Sequence, residues 1–275
     1  MNNQINKYLI ALDLDGTLLN SEQTISNNTK DYLNYLSLKG NIVTIASGRP
    51  PRSIKRYYEK LGLNGPFISY NGSYVKNNFD VDNYILKKTI KKEYIVDFIT
   101  RFEKAYLENV MIEDDYNQYY LKENKEYTFF FHPSEMNVFI GDVKNEIKED
   151  KLTFVFETKD TNNNEMISNY VESHYENIGI RYWYDAPNFG EFYFKDTNKG
   201  TSLLNLAKYY GIDPSHIIAF GDAMNDFYML KSAGVSFAMK NGAKPLQEIA
   251  SHITEFDNNH EGVYVELKKF FESKF

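Results

Sequence analysis

A chain of 275 residues with 42% hydrophobic residues can form one large domain or two modest ones around an adequate core. Its 31 Lys and Arg against 38 Asp and Glu give a formal net charge of −7, which offers no basic field to nucleic acid and makes local cations necessary wherever an anion binds. Zero Cys excludes disulfides, thiol catalysis and cysteine metal sites, no apolar stretch reaches membrane-span length, and residues 1–7 lack the apolar segment of a signal peptide, so a cytoplasmic protein with no membrane partner is expected.

The first element is the apolar run that begins Ile10-Ala-Leu and continues through Asp13-Leu-Asp15 to Gly16. It reads as a strand buried on both faces, broken by glycine, with Asp13 and Asp15 near its carboxyl end. Two acids one residue apart in a strand point to the same side, a poor way to bury a core, and they call for a compensating partner such as a divalent cation. A pair that merely caps a turn is the alternative for any lone Asp-x-Asp-Gly. A helix is expected over Asn27 to Lys39. The segment Asn41 to Arg49 is again a strand, ending in Ser47 and Gly48, whose hydroxyl and backbone N–H suit phosphate oxygens. A second helix follows over Arg52 to Leu61, then the segment Ile68-Ser-Tyr-Asn-Gly72.

This alternation of short apolar strands and helices predicts βαβ units and a parallel sheet. Near Val81 the texture changes. Lys91 to Glu108 carries Ile95, Phe98, Ile99, Phe102 and Tyr106 on one face of an amphipathic helix. Aromatic-rich strands are expected at Tyr116–Leu121, Tyr127–Phe131, Leu152–Glu157 and Gly190–Phe194, and a second helix over Asn163 to Tyr175. The α/β pattern resumes at Lys199, which begins a helix whose N-terminus favours anions, and continues through Thr201–Tyr210 and Ile217–Phe220. After that last strand, Gly221-Asp222-Ala-Met-Asn225-Asp226 repeats the grammar of strand, glycine and acids. The fold class expected is α/β: a Rossmann-like parallel-sheet core from residues 1–80 and 190–275, with an inserted α+β cap from 81–189.

The five histidines, His132, His174, His216, His252 and His260, have no metal-ligand spacing. The 23 Tyr and 20 Phe are read mainly as packing of the inserted sheet. Each chemical segment is weak alone. Together Asp13, Asp15, Ser47, Lys199 and Asp222 supply a nucleophile, an acid/base, a hydroxyl clamp, a cation and metal ligands.

Those four segments, in that order, resemble the four motifs of the haloacid dehalogenase superfamily, and more narrowly its Cof-like phosphatases, which carry a large cap between the second and third motifs. Ile68–Gly72, Phe237–Asn241 and Asn259–Val263 are similar to further family segments, so the likeness spans the core; the middle third is matched by length and position alone. Ala223 and Lys240 stand where glycines are common in relatives, and Phe194 and Asp196 where Pro and Gly are usual; the acids are intact, and substrate preference is what these departures touch.

The resemblance implies a Mg²⁺-dependent phosphatase of small phosphorylated metabolites, sugar phosphates foremost. Asp13 is then the nucleophile and Asp15 the general acid/base. Mg²⁺ is held by Asp13, Asp222 and the Asp15 backbone carbonyl. Ser47, Gly48, Lys199 and Asn225 bind the phosphoryl group, Asp226 supports the metal or Lys199, and the cap sets specificity. A phosphotransferase or mutase using the same aspartyl-phosphate, and a non-catalytic binding protein on the same fold, are the other readings.

Overall fold

β1 (Leu9–Leu12), β2 (Ile42–Ala46) and β12 (Ile217–Gly221) are apolar apart from Thr44 and buried at every position, as strands covered on both faces must be. They belong to an eight-stranded sheet with β3 (Phe67–Ser69), β4 (Tyr74–Lys76), β5 (Tyr84–Lys87), β13 (Val235–Ala238) and β14 (His252–Ile253). Its order is β14-β13-β12-β1-β2-β3-β4-β5. The strands from β14 to β3 run parallel, and β4 and β5 close the edge antiparallel. The computed structural model describes residues 7–79, 84–125, 131 and 136–273.

From β1 the chain builds outward through β2 and β3, then returns to β12 on the other side of β1 and builds outward the opposite way. The sequence order therefore reverses beside β1, and the crevice at the carboxyl ends of β1 and β12 is the place where such sheets bind ligands. Register fixes what stands there. Leu12 lies opposite Phe220, and the Asp13 N–H donates to the Phe220 carbonyl at 3.0 Å.

Helices lock this frame. The helix Pro51–Leu61 starts with proline at its first turn and stops at Gly62, whose φ of 69° is left-handed. The helix Lys199–Tyr210 opens with a reciprocal cap: Asn198 Oδ1 accepts from the Thr201 N–H, and Thr201 Oγ accepts from the Asn198 N–H. Leu203, Leu206 and Ala207 of that helix pack with Leu9, Ala11, Ile217, Ala219 and Met229. Gly200 allows the close approach of the following helix Phe227–Ser232, since a Cβ there would lie 2.2 Å from the Tyr228 carbonyl oxygen.

The chain divides into two compact units, one from Met1–Lys87 and Thr197–Phe275, the other from Lys88–Asp196. The second is an α+β insertion. Its sheet has the order β10-β11-β9-β6-β7-β8, with β6 (Leu107–Glu113), β7 (Asn117–Tyr120), β8 (Asn137–Ile140), β9 (Thr153–Thr158), β10 (Ile178–Tyr182) and β11 (Phe189–Phe194). Every pairing is antiparallel except β7 with β8. The helices Lys92–Tyr106 and Asn164–His174 pack against it through Ile95, Phe98, Ile99, Phe102, Ile167 and Val171. Phe98 is fully buried against the rings of Phe154, Phe156 and Phe192, and truncating it to Ala costs about 3–5 kcal/mol.

The fold class is as expected, and several element bounds differ. The first inserted helix ends at Tyr106, and β6 follows it without a loop. β10 was not anticipated; Gly179 breaks its apolar pattern, and a Cβ there would meet the Tyr193 ring at 2.7 Å. The strand expected over Tyr127–Phe131 lies outside the described residues except for Phe131. Among the described residues, no helix is long and apolar enough to cross a membrane.

Candidate active site

β1 ends at Leu12, so Asp13 and Asp15 lie past the strand and its alternation no longer aims them the same way. This corrects the expectation of a matched pair. Asp13 is buried, while Asp15 is exposed at the turn that Gly16 makes with a φ of 73°. The two carboxylates have different partners.

Asp13 meets Lys199. The Lys199 ammonium donates to Asp13 Oδ1 at 2.6 Å and to Asp226 Oδ1 at 2.7 Å, and Lys199 and Asp226 have no exposed surface. Lys199 is the first residue of its helix, so the cap at Asn198 and the tight packing at Gly200 set where its side chain begins. Asp226 also accepts, through Oδ2, the N–H groups of Asp222 and Ala223 at 3.0 and 3.1 Å. It therefore binds the ammonium with one oxygen and folds the loop after β12 with the other. Gly221 makes room for it, since a Cβ there would come within 2.5 Å of the Asp226 Cβ.

Asp222 stands at the carboxyl end of β12, and its Oδ1 accepts from the Thr17 hydroxyl at 2.8 Å. Asp13, Asp222 and Asp226 each place a carboxylate oxygen within 4.8 Å of the others. Three carboxylates against one ammonium leave an excess of negative charge in a buried place, which is costly without a further cation. The titration behaviour reflects this. Burial pushes the Asp13 carboxyl well above the ordinary carboxylate range, Asp226 adds to the push, and Lys199 opposes it. Burial likewise raises Asp222 to about 6, against the Thr17 hydrogen bond that favours its ionised form. Lys199 is raised, because its two carboxylate partners outweigh the burial that opposes its charge. Hard oxygen donors with uncompensated negative charge are what a divalent cation of the Mg²⁺ kind requires. The donor set fits such a metal.

Ser47 and Gly48 follow β2 directly, and Ser47 is buried. Ser47 Oγ accepts from the Arg49 N–H at 3.1 Å. Asn71 joins this segment to the loop after β12. Its N–H donates to the Ser47 carbonyl at 3.1 Å, its side-chain carbonyl accepts from Asn225 Nδ2 at 3.0 Å, and its amide packs against Gly48. The left-handed backbone of Asn71, with a φ of 54°, is tolerated by asparagine better than by most residues. Ser47, Gly48 and Asn225 are thus tied together through one residue.

Asp15 meets Arg49, whose guanidinium donates from Nε to Asp15 Oδ2 at 2.8 Å and from Nη2 to Asp15 Oδ1 at 2.5 Å. Asn241 Nδ2 donates to the Gly16 carbonyl at 2.8 Å and Asn258 Nδ2 to the Leu19 carbonyl at 2.8 Å, so the segments near the C-terminus pin the loop that carries Asp15. The Lys240 ammonium donates to the Glu255 carbonyl at 3.0 Å.

Every core residue marked out by the sequence lies at the carboxyl end of this sheet, and Asp13, Lys199, Asp222 and Asp226 converge. Arg49 and Thr17 were not singled out, and Asn71 was read only as part of the family-like segment Ile68–Gly72. The signal for Arg49 was available: a lone cation directly after Ser47-Gly48 in an acid-rich site.

The family profile of haloacid dehalogenase-like hydrolases matches residues 10–267. The Bacillus subtilis 5-amino-6-(5-phospho-D-ribitylamino)uracil phosphatase YitU is 32% identical over 264 residues, covering 96% of this chain and 97% of that protein. A second B. subtilis protein of the same activity, YcsE, is 28% identical and covers 93% of this chain and 92% of its own. The crystal structure of TM0651 from Thermotoga maritima superposes with a TM-score of 0.83 at 25% identity, covering 96% of this chain and 97% of that one.

Proposed function

The chain belongs to the family of haloacid dehalogenase-like hydrolases and is a phosphatase, and from that premise we propose that it hydrolyses small phosphorylated metabolites, sugar and polyol phosphates foremost, with Mg²⁺ and through an aspartyl-phosphate at Asp13. The single observation that carries this is the buried Asp13–Lys199–Asp226 cluster beside Asp222. It supplies a carboxylate nucleophile held by a fixed cation in a site that wants a second one.

A phosphate monoester dianion repels a carboxylate, so the site must neutralise charge before the two can meet. Asp13, Asp222 and the Asp15 backbone carbonyl would hold Mg²⁺, which would supply positive charge to offset that of the phosphate. Lys199 restrains Asp13 through Oδ1, which leaves the carboxylate in a fixed orientation for in-line attack on phosphorus. As the Asp13–phosphorus bond forms, the bond to the leaving oxygen breaks, and Asp15 donates a proton to that oxygen. In the second half, water attacks phosphorus, Asp15 takes its proton, and the bond to Asp13 breaks. The Ser47 hydroxyl, the Gly48 N–H and the Asn225 amide orient the phosphoryl oxygens. Asp226 keeps the ammonium of Lys199 in place and holds the loop bearing Asp222.

The phospho-ribityl group in the names of YitU and YcsE supports a polyol or sugar phosphate as the substrate class. Selection among such esters is assigned to the inserted unit. The test is a panel of phosphate esters assayed with Mg²⁺ and with chelator: Mg²⁺-dependent release of inorganic phosphate, fastest from sugar or polyol phosphates, is expected. Release that ignores chelator, or that favours phosphopeptides, contradicts it.

A further inference from the structure

Arg49 makes a set of contacts that binding of phosphate does not account for. Its fork spans both oxygens of Asp15, Nε to Oδ2 at 2.8 Å and Nη2 to Oδ1 at 2.5 Å. The same Nη2 donates to Gln23 Oε1 at 2.6 Å. Nη1 reaches the Tyr57 hydroxyl at 3.5 Å, and the guanidinium carbon lies 5.7 Å from the centre of the Tyr57 ring. Tyr57 is buried, and its hydroxyl also accepts from Arg56 at 2.8 Å. The Arg49 backbone is anchored as well, its carbonyl accepting from the Ser69 hydroxyl at 2.7 Å. Gln23 is placed by a left-handed backbone, φ 58°, with its N–H on the Asn20 carbonyl at 2.9 Å.

We propose that Arg49 is the positioning residue of the acid/base step, and that Gln23 and Tyr57 hold its guanidinium in place. The proposal rests on the reading of Asp15 as general acid/base given above. The fork holds both oxygens of Asp15, Nε on Oδ2 and Nη2 on Oδ1, while Nη2 also donates to Gln23 and Nη1 reaches Tyr57, so the guanidinium cannot turn without breaking these contacts. Asp15 is thereby held in one orientation for both proton transfers: to the leaving oxygen as its bond to phosphorus breaks, and from the attacking water as the phosphorus–Asp13 bond breaks. Lysine keeps the charge and loses the fork.

The test is rapid-quench kinetics with Mg²⁺ on an alkyl phosphate and on p-nitrophenyl phosphate, for Arg49→Lys, Asp15→Asn, their double variant and Gln23→Gly, which removes the acceptor without straining the backbone. Near-native circular dichroism is checked for each. Arg49→Lys is expected to slow phosphoryl transfer from the alkyl ester by about tenfold or more, to spare the burst with the activated ester, and to leave KM nearly unchanged. Gln23→Gly should show the same pattern, weaker. In the Asp15→Asn background the Arg49→Lys loss should vanish, because a residue acting through another has nothing left to position. If Asp15→Asn is selective for the poor leaving group while Arg49→Lys slows both esters alike, acts only on KM, or adds fully to Asp15→Asn, the proposal is overturned. If Asp15→Asn itself shows no leaving-group selectivity, the assignment of Asp15 falls and the proposal with it.

Discussion

The ammonium of Lys199 lies 2.6 Å from Asp13 Oδ1 and has no exposed surface, although the two residues are 186 positions apart in the sequence. A fully buried ammonium is expensive to desolvate, and only the two carboxylates it binds make it tolerable. The pair therefore fixes the first and third motifs of the chain against each other before any substrate arrives.

Replacing Lys199 by Ala should expose that dependence. It leaves Asp13 and Asp226 buried without their cation, and breaking such a pair from one side costs about 3–5 kcal/mol. Urea unfolding of the metal-free protein measures the loss. The loss should shrink as pH falls, because a protonated Asp13 no longer needs the ammonium. Turnover should be abolished at every pH.

The raised carboxyl groups predict how the metal responds to pH. A carboxyl raised in the folded protein takes up protons on folding, so its ionisation disfavours the metal-free fold as pH rises through the ordinary carboxylate value toward the folded one. Asp222 reaches about 6, and burial holds Asp13 well above its ordinary value. A divalent metal needs both ionised and releases their protons on binding. The rise in Tm that Mg²⁺ causes should therefore be small at pH 5 and grow through about pH 6. A Mg²⁺-induced shift that is the same across this range contradicts the assignment of these carboxylates as ligands.

Gly16 should not accept a side chain. Its φ of 73° is left-handed, and a Cβ would lie 2.5 Å from Asp222 Oδ2. Gly16→Ala should push Asp222 aside and weaken Mg²⁺ by about 10–100-fold, the usual loss when support for a ligand is removed, with the fold retained. Titration of the variant by calorimetry checks it.

Exchange of residues 88–196 for the equivalent segment of a relative with a different preference should transfer the ranking of kcat/KM across sugar and polyol phosphates. A ranking unchanged by the exchange would place specificity in the parent unit instead.

Much of this was legible before any coordinates, for a physical reason. Parallel strands covered on both faces read as plain apolar runs, and glycine followed by acid marks where they end; that located Asp13, Ser47 and Asp222, and the alternation of elements gave the α/β class. What sequence could not supply was direction. Asp13 and Asp15 were expected to point to the same side of a strand, and only the end of β1 at Leu12 separates a buried carboxylate from an exposed one paired with Arg49. Thr17 acts through a single hydrogen bond to Asp222, which no local pattern announces. In the inserted unit, β6 follows its helix with no turn residue between, and Gly179 interrupts the pattern of β10, so the strand count was out of reach.

The central claim is that Asp13 carries the phosphoryl group. Acid quench of the protein during turnover with Mg²⁺ and a good substrate, followed by mass spectrometry of the peptide that contains Asp13, measures this directly. A phosphoryl adduct on Asp13 that forms within the first turnover, decays as substrate is consumed, and is missing from an inactive but folded Asp13→Asn variant is the result expected. An adduct on another residue, or phosphate release by Asp13→Asn at the wild-type rate, would contradict it.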